Sequence, residues 1–341
     1  MKEIDFSKLG GILVGNAQND DAKTGVTVFV FPATATGAVD ISGGGPASRE
    51  TPVIDPERAD TPVNALVLGG GSAYGLEAAN GVMECLEKHG LGFDTRAALV
   101  PIVVQSDIYD LSYGSSKTRP DKKMGEDACL ASLSQDEKFK VRLEEVQKSS
   151  ASHLVPGAKN GSFGGGAGAT VGKILGMERC EKAGIGFAAL QCGNLKVGAA
   201  VVVNALGDIY AFDKECAGGR KIAGLLSENK KSYCDSVAEL YRLYEEKCAE
   251  ELKSSFGKEN TTIGAVFTNG DFTKSQLKKI ASMARAAYDR CIRPVGTMGD
   301  GDTIYAFSTE KPGKKIQSNL NVAGTLAADA MERAIRNAIL N

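Results

Sequence analysis

Histidine is scarce in this sequence, with two in 341 residues, His89 and His153. Neither lies in a recognisable catalytic or metal-ligand motif. His89 ends a helical pattern, and His153 lies in a polar stretch typical of a connection. The sequence therefore gives no support to a Ser-His-Asp triad or to a zinc site. A nucleophile in this chain needs a base other than histidine.

The sequence also has no C-x-x-C pair among its eight cysteines. The cysteines are scattered at positions 85, 129, 180, 192, 216, 234, 248 and 291. This spacing indicates reduced core thiols rather than disulfides or a metal site. We expect neither a metal nor a cofactor.

Long apolar runs and basic runs are missing too. Residues 1–6 contain no signal-peptide core, and the longest apolar stretch, Val197 to Val203 with its neighbours, is too short to span a bilayer. The net charge is −2, with both signs spread along the chain. We therefore expect a soluble cytoplasmic protein that binds neither membranes nor nucleic acid.

What the sequence does contain is an alternation of short strand-like runs and helical patterns, typical of an α/β protein. The strand-like runs are rich in β-branched residues and are Val26–Val30, Val63–Leu68, Leu99–Val104, Gly184–Leu190 and Val197–Val203. Helical spacing predicts helices over 72–88, capped by Ser72 and stopped by Gly90, over 274–291 and over 325–339.

Two charged segments interrupt this pattern. Residues 132–150 predict a surface helix or insertion. Residues 227–258 contain helical spacing and end in Lys253-Ser254-Ser255-Phe256-Gly257-Lys258, which is typical of an exposed linker. This linker directly precedes a strand-like run that starts at Thr261, and a chain can be cut there without loosening its core.

Thr261 is the candidate nucleophile in Asn260-Thr261-Thr262-Ile263-Gly264. Pattern alone favours an ordinary strand that opens with threonines, because a threonine hydroxyl is inert without a nearby base. If Thr261 becomes a chain terminus, its own α-amine, with an ordinary pKa of about 8, lies beside the hydroxyl.

Asp300 and Asp302 are the candidate carboxylates. In an extended segment they project on one face, where two carboxylates can orient an amine or share a proton. A turn with solvated aspartates is equally compatible with the pattern. A calcium loop is disfavoured, because the following Thr-Ile-Tyr-Ala-Phe supplies no further ligands at the needed spacing.

Two glycine-rich segments need separate interpretations. Gly164 to Lys173 does not match a phosphate loop, because Ile174 follows the lysine where a hydroxyl is required. Gly69 to Gly75 follows a strand and opens a helix, so the amides near Gly71 and Ser72 are candidates for binding an anion or an oxyanion. Close packing of strand on helix explains the same glycines, and the two roles are not exclusive.

Taken in order, several segments resemble the L-aminopeptidase/D-esterase family, which includes β-peptidyl aminopeptidases and 6-aminohexanoate-oligomer hydrolases. The segments are Val14 to Ala17, Gly43 to Thr51, Gly69 to Gly75, Pro101 to Val104, Ile108 to Leu111, Gly168 to Lys173, Val203 to Ala205, Asn260 to Gly264 and Asp300 to Thr303. Each segment is weak evidence alone, but the set in this order is specific.

The resemblance implies a self-processing precursor. Cleavage between Asn260 and Thr261 would give an α chain of residues 1–260 and a β chain of residues 261–341, which remain one folded domain. The implied fold is an α/β (α+β) four-layer αββα sandwich, layered like N-terminal-nucleophile hydrolases but connected differently. Family members assemble as homo-oligomers, often tetramers of the αβ unit.

The resemblance also assigns roles to matched residues. Thr261 would be the nucleophile and its freed amine the proton acceptor. Lys173 and Asn204 would orient the nucleophile and stabilise the oxyanion. Asp300 and Asp302 would hold the new α-ammonium group and help with processing.

Tyr109 matches a tyrosine that lines the family's site, as an additional oxyanion or substrate contact. The Asn260-Thr261 pair and the Asp-Gly-Asp motif resemble the oligomer hydrolases more than the aminopeptidases that use serine. Short peptides with a free N-terminus, β-amino acid amides and ω-amino acid oligomers all remain open as substrates.

Two alternatives remain. An acyltransferase of the glutamate N-acetyltransferase type shares the fold and cuts itself before threonine, although the motifs around Asn204 and Asp300 favour a hydrolase. A small-molecule binding protein built on glycine loops would never cut itself. An intact-mass measurement separates the binding protein from both enzymes.

Overall fold

The computed structural model describes residues 1–213, 216–246, 260–311 and 313–340. The linker expected at 253–258 lies outside these residues. Among the helices within these ranges, none combines the length and the apolar character needed to cross a membrane.

Among the residues that the structure describes, eighteen strands carry most of the fold. They are β1 Lys2–Ile4, β2 Leu13–Asn19, β3 Thr24–Ile41, β4 Ala47–Arg49, β5 Val63–Gly69, β6 Phe93–Asp94, β7 Leu99–Val100, β8 Val103–Asp107, β9 His153–Pro156, β10 Thr170–Val171, β11 Glu181–Lys182, β12 Ile185–Cys192, β13 Leu195–Asn204, β14 Asp208–Asp213, β15 Cys216–Ala223, β16 Thr261–Thr268, β17 Ile292–Arg293 and β18 Thr303–Ser308.

Seven α-helices lie within the same described ranges. They are α1 Ala78–Lys88, α2 Lys122–Leu133, α3 Leu143–Ser149, α4 Ser236–Glu246, α5 Lys274–Ala284, α6 Ala286–Cys291 and α7 Leu320–Asn337.

The long strand β3 belongs to two sheets. Its first part pairs with β2 and β5, and this sheet continues through β8 to β4 on one side and to β9 on the other. Its last part pairs with β18, and this sheet continues in the order β16, β13, β12 and β1. Most pairs are antiparallel, but β16 with β18 and β5 with β8 are parallel.

The two sheets face each other across an apolar layer. Phe29 of β3 stacks on Phe267 of β16 with ring centroids 5.0 Å apart, and Phe31 lies 4.8 Å from Phe307 of β18. Alternate side chains of β3, among them Val28, point the other way and pack with α1 and α2. The helices α5 and α7 pack against the second sheet. The layers are therefore αββα, as expected from the sequence.

Helices α1 and α2 approach closely through glycine. A Cβ at Gly81 would lie 1.8 Å from the carbonyl oxygen of Lys122, and one at Gly125 would lie 1.9 Å from that of Ala78. Ionic contacts between Lys88 and Glu126 cover this crossing on the outside. The contact fixes the outer layer that covers β3 and β5.

Several predicted elements have different bounds in the structure. The run 99–104 is divided into β7 and β8 at Pro101, which has no amide to donate to a ladder. The helix expected over 274–291 is divided at Arg285, and the one expected over 325–339 begins at Leu320. His153 belongs to β9 rather than to a connection.

Ser72 does not cap a helix as expected. It opens a 3-10 segment, Ser72–Glu77, with φ of 55°, its side chain makes no cap hydrogen bond, and the α-helix begins at Ala78. Gly90 follows the end of this helix with φ of 74°, as the stop signal predicted.

The polar segments follow the prediction. Beyond α2, residues 134–150 form a short 3-10 turn and the surface helix α3, and α4 supplies the helical spacing seen after 227. The six cysteines whose side chains are described are free thiols, but only three are buried, and Cys192 is exposed. The core position expected for all the thiols therefore holds for half of these six.

Candidate active site

Three chain segments meet at one end of the second sheet. Strand β13 ends at Asn204, which lies directly opposite Thr261 at the start of β16. Residues 300–302 lead into β18 on the other side of β16. Because β16 and β18 are parallel, their starts lie at the same edge. The Asn260–Thr261 bond is therefore flanked on both sides by residues that the sequence marked as candidates.

The geometry at this bond places a hydroxyl beside a carbonyl. Thr261 Oγ1 donates to the carbonyl oxygen of Asn260 at 2.5 Å, and the amide of Gly301 donates to the same oxygen at 2.9 Å. Asn260 is 3 % exposed and Thr261 is 6 % exposed. The peptide bond that the sequence singled out is thus buried, and its carbonyl oxygen has two donors.

The carboxylates of Asp300 and Asp302 turn toward one loop. Asp302 accepts from the amide of Thr262 at 2.6 Å and from that of Gly296 at 3.0 Å. Asp300 accepts from the amide of Thr297 at 2.6 Å. The expected grouping of two carboxylates next to Thr261 is present, and both are buried rather than solvated.

Burial raises the pKa of both carboxyl groups. The pKa of Asp302 rises to about 7, mainly through loss of water and further through the neighbouring Asp300. The pKa of Asp300 also rises through loss of water, although Thr297 and the positive charge of Lys173 oppose the rise. The pair therefore retains a proton up to about neutral pH, as two close carboxylates do when they share a site.

Lys173, Asn204 and Tyr109 form one hydrogen-bonded group. Lys173 Nζ donates to the carbonyl oxygen and to Oδ1 of Asn204, both at 3.0 Å. The side-chain amide of Asn204 donates to the carbonyl oxygen of Tyr109 at 3.0 Å, and Oδ1 accepts from the amide of Thr170 at 3.1 Å. The side-chain orientation of Asn204 is therefore fixed beside Thr261.

The Gly43-Gly44-Gly45 run supports the loop that carries the carboxylates. The amide of Gly43 donates to the carbonyl oxygen of Asp302 at 3.1 Å, and that of Gly45 to the carbonyl oxygen of Asp300 at 2.9 Å. A Cβ at Gly43 would lie 2.3 Å from the backbone nitrogen of Asp302. Glycine is needed here because two backbones approach too closely for a side chain.

The loop after β5 uses its amides inside the protein. The amide of Gly71 donates to Asp110 Oδ1 at 2.7 Å, and that of Ser72 donates to the carbonyl oxygen of Ile108 at 3.0 Å. Both donors are thus engaged in holding the segment that carries Tyr109. This geometry shows the packing role expected for the loop. The oxyanion role expected for Gly71 and Ser72 stays a prediction, and it requires both amides to leave these acceptors.

The glycine segment that leads to Lys173 is also held from within. Gly164 donates its amide to Gln18 at 2.7 Å, and Gly165 donates its amide to Thr27 Oγ1 at 3.2 Å. The segment Gly164–Gly166 is buried and forms a 3-10 turn, and its first two amides are used in these hydrogen bonds. It presents no phosphate loop, in agreement with the failed motif.

Lys182 stabilises the same segment and was not singled out in the sequence. Its ammonium donates to the carbonyl oxygens of Gly166 at 2.9 Å, Ala169 at 3.1 Å and Ala183. Burial, together with the positive charge of Lys23, lowers its pKa to about 7. No local motif indicates this role, because the three carbonyls meet only after β10 pairs with β11.

Outside residues 214–215, 247–259, 312 and 341, which the structure does not describe, no group of three or more His, Cys, Asp or Glu side chains is arranged to hold a metal ion.

Comparison with known proteins covers nearly the whole chain. The model of Peptidase family S58 matches residues 7–341. A Mycobacterium leprae protein described as an uncharacterized aminopeptidase is 34 % identical over 98 % of this chain and 90 % of its own length. A 6-aminohexanoate-oligomer endohydrolase from a Kocuria species is 28 % identical over 96 % of this chain and 84 % of its own.

Solved structures show the same fold at low sequence identity. An L-aminopeptidase/D-Ala-esterase/amidase from Ochrobactrum anthropi, described as a variant of the Ntn-hydrolase fold, has a TM-score of 0.60 at 17 % identity. A Burkholderia β-aminopeptidase has a TM-score of 0.55 at 18 % identity. Each alignment covers 97 % of this chain and 84 % of the other.

Proposed function

The chain belongs to Peptidase family S58 and is a hydrolase of amide bonds, and we propose that it activates itself by cutting the Asn260–Thr261 bond. The freed Thr261 then serves as the N-terminal nucleophile. The observation that carries the proposal is the contact of 2.5 Å between Thr261 Oγ1 and the carbonyl oxygen of the residue before it. A hydroxyl held this close to the carbonyl group needs little movement to attack its carbon.

In the first reaction, Thr261 Oγ1 attacks the carbonyl carbon of Asn260. The carbon–nitrogen bond breaks, the proton of the hydroxyl ends on the leaving nitrogen, and an ester joins Asn260 to the Thr261 side chain. Water then hydrolyses the ester and releases the carboxylate of Asn260. The products are chains of residues 1–260 and 261–341.

The second reaction uses the same oxygen on an external amide. The new α-amine of Thr261 has an ordinary pKa of about 8 and takes the hydroxyl proton. It thereby acts as the base in place of a catalytic histidine, for which the sequence has no motif. Asp300 and Asp302 lie where they can hold this amine in its charged form. Asn204, oriented by Lys173, supplies the donor for the tetrahedral intermediate.

The proposed substrates are short peptides or amino-acid amides and oligomers with a free amine. The names of two relatives support this proposal, one an uncharacterized aminopeptidase and the other a 6-aminohexanoate-oligomer endohydrolase. Threonine rather than serine at position 261 is the feature that favours the oligomer hydrolases. We also propose that the enzyme works without a cofactor, as a cytoplasmic homo-oligomer.

Two isosteric variants test the self-cleavage. Thr261→Val removes the hydroxyl, so we expect a single chain of 35.7 kDa by intact mass and no amidase activity. Thr262→Val is the matched control, because the Thr262 hydroxyl is buried and has no hydrogen-bond partner among the described residues. The control should cut itself normally.

The decisive outcome is the pair of masses. Fragments ending at 260 and beginning at 261 in the Thr261→Val protein would refute self-cleavage by this hydroxyl. An uncut wild-type chain with full amidase activity would refute the need for a free N-terminal threonine.

A further inference from the structure

The peptide group between Asp300 and Gly301 is held at both ends. Its carbonyl oxygen, on Asp300, accepts from the amide of Gly45 at 2.9 Å. Its N–H, on Gly301, donates to the carbonyl oxygen of Asn260 at 2.9 Å. One rigid peptide plane therefore directs a donor at the bond proposed to be cut.

From this contact we propose that the backbone amide of Gly301 is the oxyanion donor of the self-cleavage step. The inference rests on the proposed self-cleavage and adds a residue that touches the reacting atoms. When Thr261 Oγ1 forms its bond to the carbonyl carbon, the π electrons of the carbonyl move onto the Asn260 oxygen. The Gly301 amide already lies 2.9 Å from this oxygen before the charge develops, and a donor so placed can stabilise the charge as it forms.

Position 301 requires glycine for this arrangement. A Cβ there would lie 2.9 Å from Thr261 Oγ1 and 3.0 Å from the carbonyl oxygen of Gly45. Any side chain would push the nucleophile or the supporting backbone away. The glycine of the Asp-Gly-Asp motif is thus required for a steric reason, which is separate from the roles of the two aspartates.

The neighbouring carboxyl groups suit the same role. A developing negative charge would be repelled by ionised Asp300 and Asp302, but burial raises the pKa of both groups. Asp302, whose pKa is about 7, keeps its proton below neutral pH and then does not oppose the oxyanion. The donor therefore adjoins at least one carboxyl group whose negative charge is suppressed.

Replacing the amide by an ester tests the donor without adding a side chain. Glycolic acid introduced at position 301 by nonsense suppression in cell-free translation exchanges the N–H for oxygen and preserves the shape of the backbone. We expect cleavage at 260–261 to slow by about 10²- to 10³-fold. Intact masses distinguish this cleavage from chemical hydrolysis of the new ester at 300–301.

Glycolic acid at position 43 is the matched control. The Gly43 amide donates to the carbonyl oxygen of Asp302 at 3.1 Å in the same loop contact but does not touch Asn260. We expect this protein to cut itself within about threefold of the wild-type rate, because its oxyanion donor is intact.

Three results would overturn the proposal. One is cleavage of the 301 ester within threefold of the wild-type rate. Another is a 43 ester that is slowed as much as the 301 ester. The third is a 301 ester that is digested by added protease more readily than the 43 ester, which would assign the hydrogen bond to stability alone. Cleavage of Thr261→Val would instead refute the proposed function itself.

Discussion

Asp302→Asn should remove a pH dependence of stability that the wild-type carboxyl group causes. The Asp302 side chain is 1 % exposed, and its pKa in the folded protein is about 7 instead of the ordinary 3.8. The folded state therefore binds the proton more tightly than the unfolded state does. This stabilising contribution is fully present below pH 3.8 and is lost as the pH rises through about 7.

The magnitude follows from the size of the shift. Each tenfold change in proton affinity is worth about 1.4 kcal/mol, so the whole shift amounts to about 4 kcal/mol. Between pH 5 and pH 8 the carboxyl group should lower the free energy of unfolding by about 3 kcal/mol. Asparagine does not titrate and contributes no such slope, although it offers an amide group where Asp302 accepts two hydrogen bonds.

The measurement is urea denaturation at pH 5 and pH 8, in a Thr261→Val background so that every chain stays uncut. The loss of stability between the two pH values should be about 3 kcal/mol smaller in Thr261→Val/Asp302→Asn than in Thr261→Val alone. The two proteins are expected to differ in free energy of unfolding by a constant amount at both pH values, and this difference does not affect the comparison. Equal pH dependence in both would refute the reasoning, since it would mean that Asp302 is already ionised at pH 5.

Two further predictions concern residues that support the site. Phe267→Ala should lower the free energy of unfolding by about 3–5 kcal/mol, because Phe267 packs with Phe29 and Phe307 between the sheets, and a loss under 1 kcal/mol in urea would contradict this. Lys182→Met should lower the free energy of unfolding by about 1–3 kcal/mol and slow self-cleavage, because it leaves carbonyl oxygens without their donor. Lys182→Arg should restore part of the stability and part of the cleavage rate. Because the pKa of Lys182 is lowered to about 7, the wild type should gain stability relative to Lys182→Met as the pH rises above 7, and the absence of this gain would argue against a buried ammonium.

The layered fold was predictable because apolar strands and amphipathic helices follow simple periodicities. The runs at 63–68, 184–190 and 197–203 became strands with nearly the expected bounds. The participation of β3 in both sheets was not predictable. Its last residues, including Thr36 and Asp40, alternate too weakly in polarity, and only the pairing with β18 makes them a strand.

The site was predictable only in part. Thr261, Asn204 and Lys173 came from matched motifs, and the fold brings their segments together. The contact of Gly301 with Asn260 could not be foreseen, because a backbone amide is the same in every residue and its partner depends on strand register. For the same reason, the sequence could not reveal the acceptors of the Gly71 and Ser72 amides, which lie in the segment that follows β8.

Several residues that contact the Asn260–Thr261 peptide group in the folded protein are synthesised after it. Gly301 and Asp302 follow it by some 40 positions, and β18 must pair with β3 before they are in place. A nascent chain that ends before residue 300 therefore lacks the contacts that surround this bond in the folded protein. In the proposed reaction, self-cleavage therefore has to wait until residues 300–308 have been made and β18 has docked against β3.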